Sequence, residues 1–256
     1  MIQSEYKMIS IDRHGNVAIV KLERGVTNAL NLGLVRGLAD TLEKLKQDSG
    51  VRSVVLRSAN DKFFSIGFDI PELYELREEA FERFYRAFNE TCMDLYTFPK
   101  PTVAAITGHA TAGGCILALC CDYRLIADGR KLMGLNEVKL GVPIPHLADC
   151  ILRSLVGTPN ARVISDAGEF YTPEKSIQMG LVDHIWPLPE LLTKAIEKAE
   201  SLGTLPTMAF SVIKQNRVEN ISKQVLKRKE QKERLFVESW FSKDARDRLR
   251  AAIEKF

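Results

Sequence analysis

The chain has 256 residues, 45% hydrophobic and 27% charged, the balance of a globular protein with a substantial core rather than a disordered or fibrous one. Lys and Arg number 36 against 33 Asp and Glu, and a net charge of +3 is too weak to support nucleic-acid binding; the dense charged stretch Lys227–Arg234 mixes signs like a solvated helix face. The five cysteines (Cys92, Cys115, Cys120, Cys121, Cys150) lack zinc-type spacing and read as core thiols of a reducing compartment, so no bound metal is expected.

The first residues, MIQSEYKMISIDRHG, alternate charge early and lack an apolar centre, so no signal-peptide pattern is visible in them and a cytoplasmic protein is expected. Met8–Ile11 and Val17–Leu22 predict a hairpin about His14-Gly15-Asn16. A helix follows from Asn28, with Leu30, Leu34, Leu38, Leu42 and Leu45 spaced by three or four. Val51–Leu56 reads as a strand. The charged region Pro71–Leu95 reads as helical, with Phe81, Phe84, Tyr85 and Phe88 on one side. Pro101–Cys121 contains no Asp, Glu, Lys or Arg and is long enough to span a bilayer. Its interruption by Gly108, His109, Gly113 and Gly114 suits a buried strand (Thr102–Ile106), a turn and a helix from about Cys115 better than a membrane span.

Two further βα-like units are expected over Arg124–Asp149 and Ala161–Ile185, the second ending in a strand near Val182–Trp186. Beyond Pro187 and Pro189 the pattern is all helical: Glu190–Leu202, Met208–Asn220, Ser222–Phe241 and Asp244–Phe256. This predicts an α/β core over residues 1–189 and a helical region over 190–256 that packs on the core or on a neighbouring subunit.

Two glycine turns carry the chemistry. In FSIGFDI (Phe64–Ile70), Gly67 permits a tight turn and Asp69 can cap a helix beginning near Pro71. In TAGGCILALCCD (Thr111–Asp122), the paired glycines allow either close packing or approach of a ligand to the backbone. Either turn alone can be mere punctuation. Together they can aim backbone N–H groups at a developing oxyanion. Glu137, in GLNEVKLG (Gly134–Gly141), is the sole acid between Asp128 and Asp149 and has apolar neighbours. Such a carboxylate is desolvated and suited to moving protons, unless it only caps the next turn. His109 and Cys115 line or support the second turn. His146 and Asp149, in VPIPHLAD, are further polar candidates. No Ser/His/Asp order, P-loop or nucleotide-type glycine fingerprint is present.

FSIGFDI, the AAITGHATAGGCILALCCDYRLIA block and GLNEVKLGV, in that order and spacing, resemble the crotonase (enoyl-CoA hydratase/isomerase) superfamily. The resemblance runs from Asn28-Ala29-Leu30-Asn31 to Met179–Asp183, and more loosely to the C-terminus. It implies a core of stacked ββα spiral turns and a C-terminal helical region that drives trimers, often paired into hexamers. It also implies an acyl-CoA substrate with no separate cofactor, since CoA is part of the substrate. The oxyanion donors map onto the backbone N–H groups of Phe68 and Gly113, and the CoA contacts onto Ser65, Gly67, Asp69 and Ile70.

Enoyl-CoA hydratases of the family pair two glutamates. The first of those positions is Ile116 here, and only the second, Glu137, is a carboxylate. A lone glutamate is the pattern of the Δ3,Δ2-enoyl-CoA isomerases, of which this chain resembles the mitochondrial type. The aspartate of dienoyl-CoA isomerases and chlorobenzoyl-CoA dehalogenases would fall near Pro145. The expected activity is thus double-bond isomerisation in fatty-acid β-oxidation. The alternatives are hydration, or C–C or thioester hydrolysis, of a cyclic or aromatic acyl-CoA assisted by His146 or Asp149, and a non-catalytic acyl-CoA-binding homologue.

Overall fold

The computed structural model describes residues 8–254. β1 (Ile9–His14) and β2 (Val17–Leu22) form the expected hairpin. The leucine-periodic segment becomes α1 (Leu32–Gln47), which starts later than its period predicts. Asn28 sits at φ 46, and the Leu30 N–H donates to the Gly67 carbonyl at 2.7 Å, so residues 28–31 are pinned to a distant turn. Asn31 then caps the helix, accepting from the Leu34 N–H.

β3 (Ser53–Ser58) and β4 (Phe63–Ser65) follow. The region expected as one helix divides into α2 (Ile70–Tyr74) and α3 (Glu78–Tyr96), and α3 buries the Phe81, Phe84, Tyr85, Phe88 face. Pro101–Cys121 folds as β5 (Thr102–Ile106), β6 (His109–Thr111) and α4 (Gly113–Leu119), all inside the core. Among the described residues no helix is long and apolar enough to cross a membrane.

β7 (Tyr123–Ala127) and β8 (Met133–Gly134) lead into a 3₁₀ turn at Glu137–Leu140 and then α5 (His146–Ala167), which kinks at Gly157, φ 73. The unit expected over 161–185 is instead the end of α5, then β9 (Phe170–Tyr171), α6 (Pro173–Met179) and β10 (His184–Trp186). α7 (Leu188–Gly203), α8 (Thr207–Trp240) and α9 (Lys243–Ile253) complete the chain. The two helices expected across residues 208–241 are the single α8. Ser222, the expected start of the second of them, bonds back to the Val218 carbonyl at 3.0 Å and leaves the helical ladder intact. Of the expected apolar stripe Leu249, Ile253 and Phe256, the last lies outside the described residues.

After the N-terminal hairpin, the strand pairs β3/β4, β5/β6 and β7/β8 each give their first strand to one sheet and their second to another. The large sheet runs β1-β2-β3-β5-β7-β10 and the small one β4-β6-β8-β9. Pairing is parallel except for the β1/β2 and β8/β9 contacts. The central strands β2, β3, β5 and β7 are mostly apolar because both faces of the sheet are covered there, whereas the edge strand β1 is exposed beyond Ser10. Val20, Leu56, Ala104 and Ile106 face the main core, whereas Ile19, Val55, Val103 and Ala105 face α7. Ala195 and Ala199 let α7 lie close against that second face. α8 and α9 instead pack on α2, α3, α5 and the 3₁₀ turn.

One buried ion pair ties α8 to the sheet. Asp122 accepts from the Thr102 N–H at 2.9 Å, from its hydroxyl at 3.0 Å and from Lys214 Nζ at 2.8 Å, with Arg217 on its other oxygen. The Lys214 and Asp122 side chains are only 2% and 3% exposed. Removing one partner strands a buried charge, so Asp122→Ala is expected to lower the unfolding free energy by about 3–5 kcal/mol. Asp122→Asn combined with Lys214→Met should recover most of that loss. Urea denaturation of the two variants against the parent chain measures both.

Candidate active site

The first site turn leaves β4 at Ser65. Ser65 Oγ donates to the Asn28 carbonyl at 2.8 Å and accepts from the Gly67 N–H at 3.1 Å. Gly67 takes φ +94, a conformation open to glycine and costly for other residues. The Gly67 carbonyl and the Asp69 N–H both bond to the backbone of Leu30, at 2.7 and 3.0 Å. Asp69 then caps α2 by accepting from the Glu72 N–H, and Arg24 clamps Asp69 and Glu72 at 2.6 and 2.9 Å. The backbone N–H and C=O groups of Gly67 and Asp69, on either side of Phe68, are all engaged. The Phe68 N–H itself has no partner among the described residues.

The second turn leaves β6 at Thr111, whose hydroxyl donates to the Ile66 carbonyl at 2.9 Å and so stitches the two turns together. Ala112 is held at φ 47, ψ −122, strain that a non-glycine residue carries only where the surroundings over-determine it. α4 then starts at Gly113. As a first-turn amide, the Gly113 N–H lacks an intrahelical acceptor, and it has none elsewhere among the described residues.

The turns abut. A Cβ on Gly67 would lie 2.9 Å from the Gly113 nitrogen, and one on Gly114 only 2.1 Å from the Ser65 carbonyl oxygen. The glycines are therefore required for contact between the turns as well as for conformation.

Glu137 comes from the third ββα unit, at the start of the 3₁₀ turn after β8. It is 5% exposed, and its Oε2 has no hydrogen-bond partner among the described residues. Burial pushes its pKa up to about 7, against a smaller lowering by its own and Asn136's backbone. The carboxyl thus changes charge near neutrality.

Phe68, Ile70, Gly113 and Glu137 line one cavity of about 380 Å³, with Ile116 in its wall. Among the lining residues Glu137 is the sole carboxylate. Ser65, Gly67 and Asp69 do not line it. Ser65 is fully buried, and all three shape the turn from behind.

His146 and Asp149 also stand elsewhere, in a neighbouring cavity beside Lys232. Asp149 pairs with Arg153 at 2.7 Å, and His146 faces the Cys150 thiol at 3.8 Å. Arg153 also donates to Cys150 Sγ at 3.7 Å, so this His/Asp/Cys group already holds a fixed cation.

Sequence reasoning did not place Phe236 and Trp240 of α8 or Ala252 of α9 in the wall, yet all three line the cavity. The spacing of four between Phe236 and Trp240 marks a common helix face and nothing more specific. The Phe68 ring meets Phe84 and Phe88 edge-on at 4.9 Å each, with Phe236 and Trp240 each at 6.4 Å. Part of the cavity wall is in this way aromatic, with Phe68, Phe236 and Trp240 lining it and Phe84 and Phe88 packed against Phe68.

The family model described as enoyl-CoA hydratase/isomerase matches residues 12–256. The mouse protein named enoyl-CoA delta isomerase 1, mitochondrial, is 33% identical over 74% of this chain, which spans 66% of that protein. The human protein of the same name is 31% identical, over 82% of this chain and 70% of its own length. A short-chain-enoyl-CoA hydratase of Clostridium acetobutylicum is 28% identical over 98% of this chain and 96% of its own. The crystal structure of human mitochondrial delta3-delta2-enoyl-CoA isomerase superposes with a TM-score of 0.94 at 27% identity, covering 97% of each chain. The two abutting turns and the buried glutamate thus sit in a fold shared nearly end to end, and the chain belongs to the enoyl-CoA hydratase/isomerase family of the crotonase superfamily.

Proposed function

We propose that this chain is a Δ3,Δ2-enoyl-CoA isomerase, moving the double bond of a 3-enoyl thioester into conjugation with its carbonyl. Enoyl-CoA processing is common to the named relatives, isomerases and hydratases alike. The observation that carries the finer reading is a single buried carboxylate in a cavity with two unpartnered amides, where the hydratase pattern has a second glutamate and this chain has Ile116.

Ionised Glu137 removes a proton from C2, and the electron pair moves onto the thioester carbonyl to give a dienolate. The N–H groups of Phe68 and Gly113 hold the oxyanion, each contribution being roughly 10²–10³-fold in rate. The protonated carboxyl then delivers its proton to C4, and the electrons return to form the 2-enoyl thioester. No water is consumed and the enzyme returns to its starting charge. Addition of water would call for a second acid/base group at the wall position that Ile116 fills with aliphatic carbon.

A pKa near 7 suits both halves of this shuttle, because the group must accept and release the same proton at similar cost. The largely aromatic and aliphatic wall keeps water from quenching the dienolate. The helical C-terminal region belongs to the same reading as the surface of a homotrimer or hexamer. Met208 at 82% exposure, with Ile213 and Val212 beside it, supplies the exposed apolar stripe on α8 that such packing would cover.

Adding the protein to a short trans-3-enoyl-CoA should raise the ultraviolet absorbance of a conjugated thioester. Silence across chain lengths, with hydration of a 2-enoyl-CoA by the same preparation, would replace the isomerase reading by a hydratase one. Glu137→Gln should keep the fold and lose about 10²-fold or more in kcat. In the parent chain kcat/KM should rise with pH through an apparent pKa near 7, since the base form starts the reaction.

The same group makes stability pH-dependent. Its folded pKa of about 7 lies above the ordinary 4.5, so the folded state binds the extra proton between those values. The contribution of Glu137 to stability is therefore full below pH 4.5, falls as pH rises to about 7 and levels off above, a loss of about 3 kcal/mol from this group. Denaturation curves of Glu137→Gln should lack that fall.

A further inference from the structure

His109 is the second polar side chain of the cavity whose state the fold determines, and the shuttle leaves it unused. It opens β6, two residues before Thr111, and both side chains face the cavity while Ala110 between them faces the core. Its Nδ1 accepts the Leu132 backbone N–H at 3.1 Å. A ring nitrogen that accepts carries no proton, so the hydrogen of the neutral ring sits on Nε2. Nε2 has no partner among the described residues. Phe63 flanks the ring at 5.2 Å and holds its plane. Burial and the nearby Lys131 and Lys62 lower its pKa, which favours this neutral, single-donor form.

The position of His109 along the cavity gives the donor its target. The oxyanion amides lie past the carboxyl end of β6, and His109 lies roughly 7 Å behind Thr111 along the strand. Elsewhere in the lining the Phe68, Phe236 and Trp240 rings form an aromatic wall, which offers carbon to an acyl tail. Near His109, Lys62 lies above the Phe63 ring and Lys131 is anchored on the Asp61 carbonyl, which puts two cations on this side. A CoA thioester is asymmetric in the same sense. Its acyl side is hydrocarbon, and on the sulfur side a two-carbon linker leads to an amide and then to phosphates.

We propose that His109 is a substrate-binding residue whose Nε2–H donates to an amide carbonyl of the thioester's pantetheine arm and sets the distance between that arm and the Phe68 and Gly113 amides. The inference rests on the acyl-CoA reading above.

His109→Asn tests it, because an Asn oxygen can stand where Nδ1 stands, keeping the Leu132 bond while removing the Nε2 donor. His109→Gln places an amide donor near the position of Nε2. Tryptophan fluorescence measures the Kd of butyryl-CoA without requiring turnover. The Asn variant should bind about tenfold more weakly and the Gln variant within about threefold of the parent. In kinetics the Asn change should appear in KM rather than kcat, and only with 3-hexenoyl-CoA. With the S-butyl thioester of the same acid, which has no amide, parent and variant should agree.

Equal Kd values for all three proteins would overturn the inference and leave the acyl-CoA reading standing. An equal loss on the amide-free thioester would also overturn it, by placing the partner of His109 on the acyl chain or in the protein. Failure of the parent chain to bind butyryl-CoA at all would remove the acyl-CoA reading and this inference with it.

Discussion

Two polypeptide turns touch here at a distance that side chains forbid. Gly67 lies against the Gly113 nitrogen and Gly114 against the Ser65 carbonyl, and a methyl group on any of these carbons would meet backbone at 3.3 Å or less. Backbone cannot yield as a flexible side chain can, so the contact is all or nothing. It sets the spacing of β4 and β6, brings the first turns of α2 and α4 side by side, and holds Ala112 in its strained conformation. It also explains why two amides remain without partners. The surrounding donors and acceptors satisfy one another across the seam, through Leu30 with Gly67 and Asp69 and through Thr111 with Ile66, and these two N–H groups are left facing space.

Against that seam the fold sets a group it would not otherwise tolerate. A carboxyl buried without a cation or a full set of donors is destabilising when ionised, and the rise in its pKa is the direct expression of that penalty. Glu137 can occupy such a position because its neighbours are rigid. The Gly134 carbonyl is bonded to the Ala112 N–H at 2.9 Å, which ties the third unit to the second site turn. Gly141 takes φ +77 under α9, and its carbonyl accepts from Ser239 Oγ at 3.0 Å. The carboxyl is therefore held from both ends of a short turn, and solvation lost by burial is not regained by movement.

The C-terminal helices complete the site from outside the spiral. α8 contributes Phe236 and Trp240 to the wall and is anchored far from the cavity by Lys214 on Asp122. α9 lies against both α2 and the 3₁₀ turn, and Arg246 stacks on the Tyr74 ring at 3.4 Å while donating to the Tyr74 carbonyl at 2.9 Å. The helix that follows the Phe68 turn and the 3₁₀ turn that bears Glu137 are thus bridged by a helix from the far end of the chain. The half-buried Phe68 ring sits where all of these meet, between the seam and the aromatic faces of α3 and α8.

Much of this was legible in the sequence, for local reasons. Strands with both faces buried are mostly apolar, so β3 and β5 stand out, and Asp69 before a proline marks the start of α2. The isolated acid among apolar residues marks Glu137 as desolvated. Motif order and spacing carried the family, and with it the positions of Phe68 and Gly113. What composition and periodicity missed was set by contacts distant in the chain. α1 starts late because Leu30 belongs to the Gly67 turn. Ser65, Gly67 and Asp69 shape the turn without lining the cavity, whereas Phe236, Trp240 and Ala252 line it from the C-terminal helices. By itself the sequence determined which residues can turn, cap and ionise, since those are properties of single side chains and their immediate neighbours. Only the tertiary structure decided which amides go unpaired, where His109 keeps its proton and how far Glu137 is removed from water, because each depends on groups that folding alone brings within reach.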